Sequence, residues 1–474
     1  MDLTKIYALT DSRAGEFLTQ LREFLRQPSV SPQNIGVADC AHLLMQYLKN
    51  LGCQEARVVP TAGHPVVYAR LNAGAKKTLI AYMMYDTQPF DEPGWTHPPM
   101  EAQLVEMKRP DGSVKAIVNR GAFNSKGPLL SFLHAVRAIR ESQEKMPVNL
   151  LFVAEGEEEL GSPHLPDFID HFKKELSQAD ACFFPFFTQD HYGKARFFLG
   201  NKGIVYLELE CSGKAWGRGP QEFDIHSSNK AWMDSPVWRL IHALASMTDE
   251  TGNKIRIKGF YDDVRPPTVR EKKQIEALAK TFNPRAIKEA NQVGRFAYDE
   301  KDKRRLITEY LYGTTLNIDG IWGGYIGPGT KTVLPHQVTA KLDIRLVPEQ
   351  RAETVLKLLR KHLSHHGYRD IEIRLLDAYG WAQTDPDAPV VQAALRAARA
   401  FGVEPEVWPR IGGSAPFYLF SEVLKIPFMM GIVGHGARAH SPDEYIVWEG
   451  NGKVLGYLDA VKSMVCFLDE YSRA

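Results

Sequence analysis

The sequence predicts an α/β fold: an open, mostly parallel sheet with helices on both faces, into which an α+β module is inserted. Three features carry that prediction. The run Leu150-Leu151-Phe152-Val153-Ala154 has the unbroken apolar character of a strand buried on both faces, and it breaks at Gly156 into Glu157-Glu158-Glu159. A second apolar run, Thr78-Leu79-Ile80-Ala81-Tyr82-Met83-Met84-Tyr85, ends in the same way at Asp86. After Gly203 the pattern switches to alternation, in Ile204–Glu210 and again in Val338–Leu346, which suits a sheet with one solvated face. Residues 1–203 and 377–474 are therefore assigned to the α/β domain, and 204–376 to the insertion.

Taken in order, Asp11 or Ser12 is expected to cap a helix through Phe17, Leu18, Leu21, Phe24 and Leu25, which recur at helical spacing. A second helix is expected from Gly36 to Leu51, followed by short strands at Ala56–Val59 and Val66–Leu71. The stretch Pro89–Pro99 reads as a loop carrying Trp95 and His97. The turn Asn124-Ser125-Lys126-Gly127 opens a helix whose apolar side holds Leu129, Leu130, Phe132, Leu133 and Val136. A helix near Leu165–Leu176 closes the first α/β segment. The insertion is expected to hold helices around Trp238–Met247, Glu271–Ala290 and Glu353–His362, and a last strand at Ile371–Leu376. From Pro389 onward α/β character returns, with a helix, a strand at Ile426–Ile432 and a C-terminal helix near Leu455–Leu468.

With 474 residues, 44% of them hydrophobic, the chain has ample material for two cores. A net charge of +1 gives no electrostatic case for nucleic acid or an anionic membrane. The cysteines Cys40, Cys53, Cys182, Cys211 and Cys466 are odd in number and scattered, so they read as reduced core residues. Met1-Asp2-Leu3-Thr4-Lys5 has no apolar leader, and a cytoplasmic protein is expected.

The acidic run after Val153 is the first candidate site. Clustered carboxylates cost free energy unless something neutralises them or one keeps its proton. A solvated acidic turn is the alternative, but it fits poorly a run joined directly to a core strand. The carboxyl edge of such a sheet is where open α/β folds bind ligands.

Four stretches resemble one family, the dinuclear zinc peptidases and amidohydrolases that include carnosinase, glutamate carboxypeptidase, aminoacylase and succinyl-diaminopimelate desuccinylase. They are Tyr82-Met83-Met84-Tyr85-Asp86-Thr87-Gln88-Pro89, Arg120-Gly121-Ala122-Phe123-Asn124-Ser125-Lys126-Gly127, Glu157-Glu158-Glu159-Leu160-Gly161-Ser162 and Arg438-Ala439-His440-Ser441-Pro442-Asp443-Glu444. The resemblance implies a lid and dimerisation role for the insertion. It implies that Glu158 is the general base, that Glu159 and His440 are metal ligands, and that Asp86 orients a metal-binding histidine.

Other ligand positions have changed. Met84 stands where the resemblance expects the first histidine, Asn124 where it expects the bridging aspartate, and Phe186 where it expects a further aspartate. A neutral amide does not bridge two divalent cations as a carboxylate does, a thioether favours soft metals, and a phenyl ring is no ligand. The expectation is no cofactor, or at most one divalent ion, zinc or manganese, on Glu159 and His440. Alternatively those two side chains hydrogen-bond each other. Met84 and the Phe183–Phe187 cluster are read as core packing, with an aromatic-binding lining as the alternative. His164, Asp190 and His191 are either surface residues or substitute ligands.

The insertion carries a second set. Asp224-Ile225-His226-Ser227 resembles the family element whose histidine crosses the dimer and polarises the scissile carbonyl, an interface histidine being the alternative. Arg345 matches an arginine that grips a substrate carboxylate, and Asn317, Lys331 and Thr332 are placed in the same pocket. Gly413 and Ser414, in Gly412-Gly413-Ser414, resemble a turn that approaches substrate closely, or else a helix-start turn. The expected function is hydrolase-like action on an amide-type C–N bond of a small carboxylate-bearing substrate, in a homodimer joined through the insertion. The alternatives are a non-hydrolytic or metal-free enzyme and an inactive binding or regulatory protein.

Overall fold

The computed structural model describes residues 1–109 and 112–474. The chain forms two compact units: Met1–Gly200 with Gln383–Pro409 and Pro416–Ala474, and Asn201–Ala382 with Arg410–Ala415. Among the described residues no helix is long and apolar enough to cross a membrane. The five cysteines are free thiols, and all but Cys53 are buried.

The first unit is built on a mixed sheet. In spatial order its main path runs Glu55–Val59, Val66–Leu71, Asn149–Glu155, Thr78–Met84, Ala181–Gln189, Phe428–Ala437, Tyr445–Glu449, Val114–Val118 and Gln103–Met107. The four central strands, from Asn149–Glu155 to Phe428–Ala437, are mutually parallel, while the strands flanking them on both sides pair antiparallel. The parallel expectation therefore holds for the centre of the sheet. Its flanks are short or half-exposed strands, whose period-two signal is weak in so few residues. Helices Ala14–Arg26, Lys126–Glu141, Pro389–Ala400 and Tyr457–Arg473 supply the apolar faces that cover the sheet.

Two local readings are corrected. Asp11 and Ser12 lie in the last turn of a separate helix, Leu3–Ser12, whose cap is Asp2 through a 3.1 Å bond from the Lys5 amide. The helix expected over Glu271–Ala290 is two helices, Val269–Thr281 and Pro284–Asn291. Pro284 lacks an amide hydrogen and crowds the preceding turn, so it starts a helix more readily than it continues one. The segment Ala181–Gln189 is a core strand with alternating exposure from residue 183 onward.

The second unit has a six-stranded sheet whose main path is Thr315–Trp322, Gln337–Leu346, Gly200–Ser212 and Glu372–Tyr379. Its neighbouring strands pair antiparallel. Helices Pro236–Met247 and Ala352–His365 pack on it over Val205, Leu207, Leu209, Leu342 and Ile344. Thr315–Trp322, not foreseen as a strand, lies at the edge. Residues Ile411–Ser414 pair with Gly200–Ser212, so Gly413 and Ser414 belong to this unit.

Candidate active site at the carboxyl edge of the first sheet

Strands Thr78–Met84 and Asn149–Glu155 are parallel and in register, with Met84 opposite Glu155. Their carboxyl ends therefore deliver Asp86 and the acidic run to one edge. Beyond Glu155 the chain turns at Gly156, where a Cβ would lie 2.5 Å from the Tyr85 hydroxyl. A single 3₁₀ turn, Glu158–Leu160, follows and is closed by Gly161 at φ +89°. Asp86 holds that turn from below. Its carboxylate accepts the Glu158 amide at 3.2 Å, the Glu159 amide at 3.1 Å and the Ser31 hydroxyl at 2.7 Å. With a methionine at position 84, Asp86 orients the two glutamates through their backbone, in place of the role the sequence suggested.

Charge is crowded here. Burial, with the Glu159 carboxylate beside it, pushes Asp86 up to about 7. Burial and the neighbouring Glu159, Asp86 and Glu155 carboxyls push Glu158 well above the usual carboxylate range. Burial also pushes Glu155 up to about 8; it accepts the Tyr82 hydroxyl and, at 2.9 Å, that of Ser162. Protons on this cluster reduce its mutual repulsion.

Glu159 is the centre of a closed hydrogen-bond network. Asn124 Nδ2 donates to Glu159 Oε1 at 2.8 Å, and Gln88 Nε2 donates to Oε2 at 2.9 Å. His440 Nε2 lies 3.1 Å from Oε1 and 3.0 Å from Oε2, and the hydrogen bond it donates to Glu159 raises the imidazole pKa. Asn124 Nδ2 is also 2.9 Å from His440 Nε2. Ser125 Oγ donates to Asn124 Oδ1 at 3.1 Å, which aims the amide nitrogen at Glu159. The Asn124 loop is fixed by Glu444, whose Oε1 accepts the Phe123 and Asn124 amides at 2.9 and 2.8 Å. Glu444 is in turn paired with buried Arg120 at 3.0 Å. Gln88, Glu444 and Arg120 were absent from the sequence-derived site. Their signal was present, because each lies inside one of the matching motifs.

A pair of zinc ions needs a bridging carboxylate and further anionic or imidazole donors. Met84 is buried, Asn124 presents its amide nitrogen, and the Phe186 ring packs at a tilt of 45° on Phe123, with centroids 4.8 Å apart. Among the described residues no cluster of three or more His, Cys, Asp or Glu side chains is placed to hold a metal ion. The donors present do not match those needs. Of the substitute ligands, His164 binds Glu157 at 2.7 Å, and Asp190 accepts the amides of Tyr192 and Lys194 at 2.9 and 3.1 Å. The His191 carbonyl accepts from Arg109 at 2.7 Å.

The second unit brings its candidates into two groups. Arg345 donates to Asp343 at 2.7 Å and to the Ser414 hydroxyl at 2.8 Å, and Asn317 donates to Asp343 at 3.1 Å. His226 Nε2 lies 3.1 Å from the Thr332 hydroxyl, and its Nδ1 lies 2.8 Å from that of Ser228. Lys331 sits 5.6 Å over the Tyr325 ring. The missing Cβ matters at Gly412, where it would meet Tyr310 at 2.5 Å, whereas Gly413 has open space.

The model of peptidase family M20/M25/M40 matches residues 84–461. The Cys-Gly metallodipeptidase DUG1 of Saccharomyces cerevisiae is 28% identical over 502 residues, covering 100% of this chain and 98% of that protein. The human Beta-Ala-His dipeptidase is 27% identical, covering 99% of this chain and 93% of that protein. Among solved structures, the M20 family metallo-carboxypeptidase Sso-CP2 from Sulfolobus solfataricus superimposes with a TM-score of 0.86 at 34% identity, covering 97% of this chain and 100% of that one. These similarities span both units and all four motifs that build the site. The chain belongs to the M20/M25/M40 peptidase family and is an enzyme of the peptidase and amidohydrolase type.

Proposed function

We propose that the protein acts on the amide-type C–N bond of a small carboxylate-bearing substrate, without a two-zinc centre, and that Glu158 moves the proton. The observation that carries this reading is the saturation of Glu159. Both its oxygens are taken by Asn124, Gln88 and His440, in a site where Met84 and Phe186 add no donor of charge. At most one divalent ion on Glu159 and His440 is compatible with that donor set.

Glu158 stands at the mouth of the strand end, held by Asp86 through its own amide. In the proposed reaction its ionised form, made a stronger base by burial and the neighbouring carboxyls, takes a proton from water as the water oxygen bonds to the carbonyl carbon. It returns that proton to the nitrogen as the C–N bond breaks, leaving an acid and an amine. In a metal centre the ions lower the pKa of the attacking water and polarise the carbonyl. Without them an activated amide is the suitable substrate. Arg345 is the proposed carboxylate anchor, and His226 the proposed carbonyl-polarising group. Dipeptide-like compounds are the natural first panel, since the similar proteins are named for Cys-Gly and Beta-Ala-His dipeptides.

A homodimer is part of the proposal. The edge strand Thr315–Trp322 exposes Ile318, Ile321 and Trp322, and an apolar edge invites pairing with a second copy.

The test is metal analysis of protein purified without chelators, followed by turnover of amides by the native protein and Glu158→Gln. Metal-free turnover that disappears in the variant is expected. Two equivalents of zinc in the native protein, or unchanged turnover in the variant, would overturn the proposal.

A further inference from the structure

The strand Ala181–Gln189 places Phe183 and Phe187 on one face and Phe184 and Phe186 on the other. Phe183 and Phe187 are core residues, at 0% and 1% exposure, whereas Phe184 and Phe186 are only half-buried. The two half-buried rings are not isolated. Their centroids are 6.1 Å apart and their planes differ by 15°. Phe186 continues onto Phe123 at 4.8 Å, and Phe184 onto Tyr82 at 5.5 Å and Phe417 at 5.7 Å.

Both ends of this aromatic row reach polar groups of the candidate site. Phe123 immediately precedes Asn124, and the two backbone amides share Glu444 Oε1. At the other end the Tyr82 hydroxyl donates to Glu155. The row is also held in place: a Cβ at Gly436 would lie 2.4 Å from the Phe123 ring, so that ring rests on bare backbone. Core packing accounts for Phe183 and Phe187. It does not account for rings left partly uncovered beside a hydrogen-bonding network.

We infer that Phe184 and Phe186 form a platform for an aromatic ring of the substrate, so that the substrate class is an aromatic amide. The inference rests on the amide reading above and narrows it. The platform supplies flat apolar area that favours an offset ring. The polar groups at its two ends are the Glu155 carboxyl, which accepts the Tyr82 hydroxyl, and the side-chain amide of Asn124, which follows Phe123. An aromatic amine as leaving group is also easier to expel than an alkylamine, which fits a site lacking two zinc ions.

The experiment compares two probes of equal polar group and similar size, benzamide and cyclohexanecarboxamide, by calorimetric titration of the full chain. The native protein is expected to bind benzamide about tenfold more tightly, the order that ring stacking supplies. Phe184→Leu and Phe186→Leu should each reduce that preference to about twofold or less, while Phe186→Tyr, which keeps the ring, should retain it. Unfolding midpoints establish that each variant is folded. Equal affinity for the two probes, binding of neither, or a preference that survives both leucine variants would overturn the inference. Turnover of succinanilic acid, an anilide that also carries a carboxylate, is followed separately. A ring preference without turnover supports the platform and counts against the proposed hydrolysis, so the two failures are distinguishable.

Discussion

Asn124→Asp exchanges an amide for a carboxylate of the same shape, at the position that orders the network. Asn124 Nδ2 donates to Glu159 Oε1 at 2.8 Å, and the substitution turns that donor into an acceptor. Losing a hydrogen bond to a charged acceptor costs about 1.5–3 kcal/mol. Two carboxylates placed about 4 Å apart also repel, by about 4 kcal/mol at an effective dielectric of 20. Uptake of a proton by the pair limits that repulsion, at about 1.36 kcal/mol per pH unit. The net loss expected is about 2–4 kcal/mol at pH 8, and less at pH 5, where the extra proton is easily held. Urea unfolding at the two pH values measures it as a fall in midpoint at unchanged slope. Were the aspartate enough to rebuild a two-ion site, zinc at a hundred times its Kd would restore about 2.7 kcal/mol. With Met84 and Phe186 in place, no such rescue is expected. A variant as stable as the native protein at pH 8 without metal, or one that takes up two equivalents of zinc, would refute the reasoning.

Three further outcomes are expected. Combining Asn124→Asp with Met84→His and Phe186→Asp should create zinc binding that none of the single variants shows, read by metal content after dialysis; a zinc-free triple variant that folds would refute the assignment of these positions. Burial pushes His435 down to about 4, so it stays neutral in the fold while the unfolded chain gains a proton below its ordinary pKa of 6.5. Its stability contribution is thus present above pH 6.5 and is lost as pH falls toward 4, by about 3 kcal/mol. His435→Gln should flatten the pH dependence of unfolding over that window, and an unchanged slope would count against it. Ile321→Lys places a charge on the exposed edge strand and should convert a dimer to a monomer in light scattering; a native monomer would remove the dimer from the proposal.

How much was legible in the sequence varied by element. The runs Thr78–Tyr85 and Leu150–Ala154 announced buried parallel strands, because continuous apolar character leaves no solvated face. Short flanking strands such as Gln103–Met107 and Val114–Val118 were missed, since five residues carry too few alternations to stand out from a loop. In the site, Glu158, Glu159, His440, Asn124 and Asp86 were named from motifs, and the structure brings all five to one sheet edge. The part Asp86 plays was not legible. A carboxylate's partners are decided by which amides point at it, and those belong to a turn 72 residues further along the chain.

The sequence by itself determined the family resemblance, the acidic strand end and the identities of Met84, Asn124 and Phe186, because these are matters of residue type and order. Only the tertiary structure decided that Glu159 is saturated by Asn124, Gln88 and His440, and that Phe184 and Phe186 turn away from the core while Phe183 and Phe187 enter it. The physical reason is that hydrogen bonds and ring contacts depend on direction and on separations of a few ångströms. Side chains 35 to 316 positions apart meet here only because parallel strands bring their ends to a common edge.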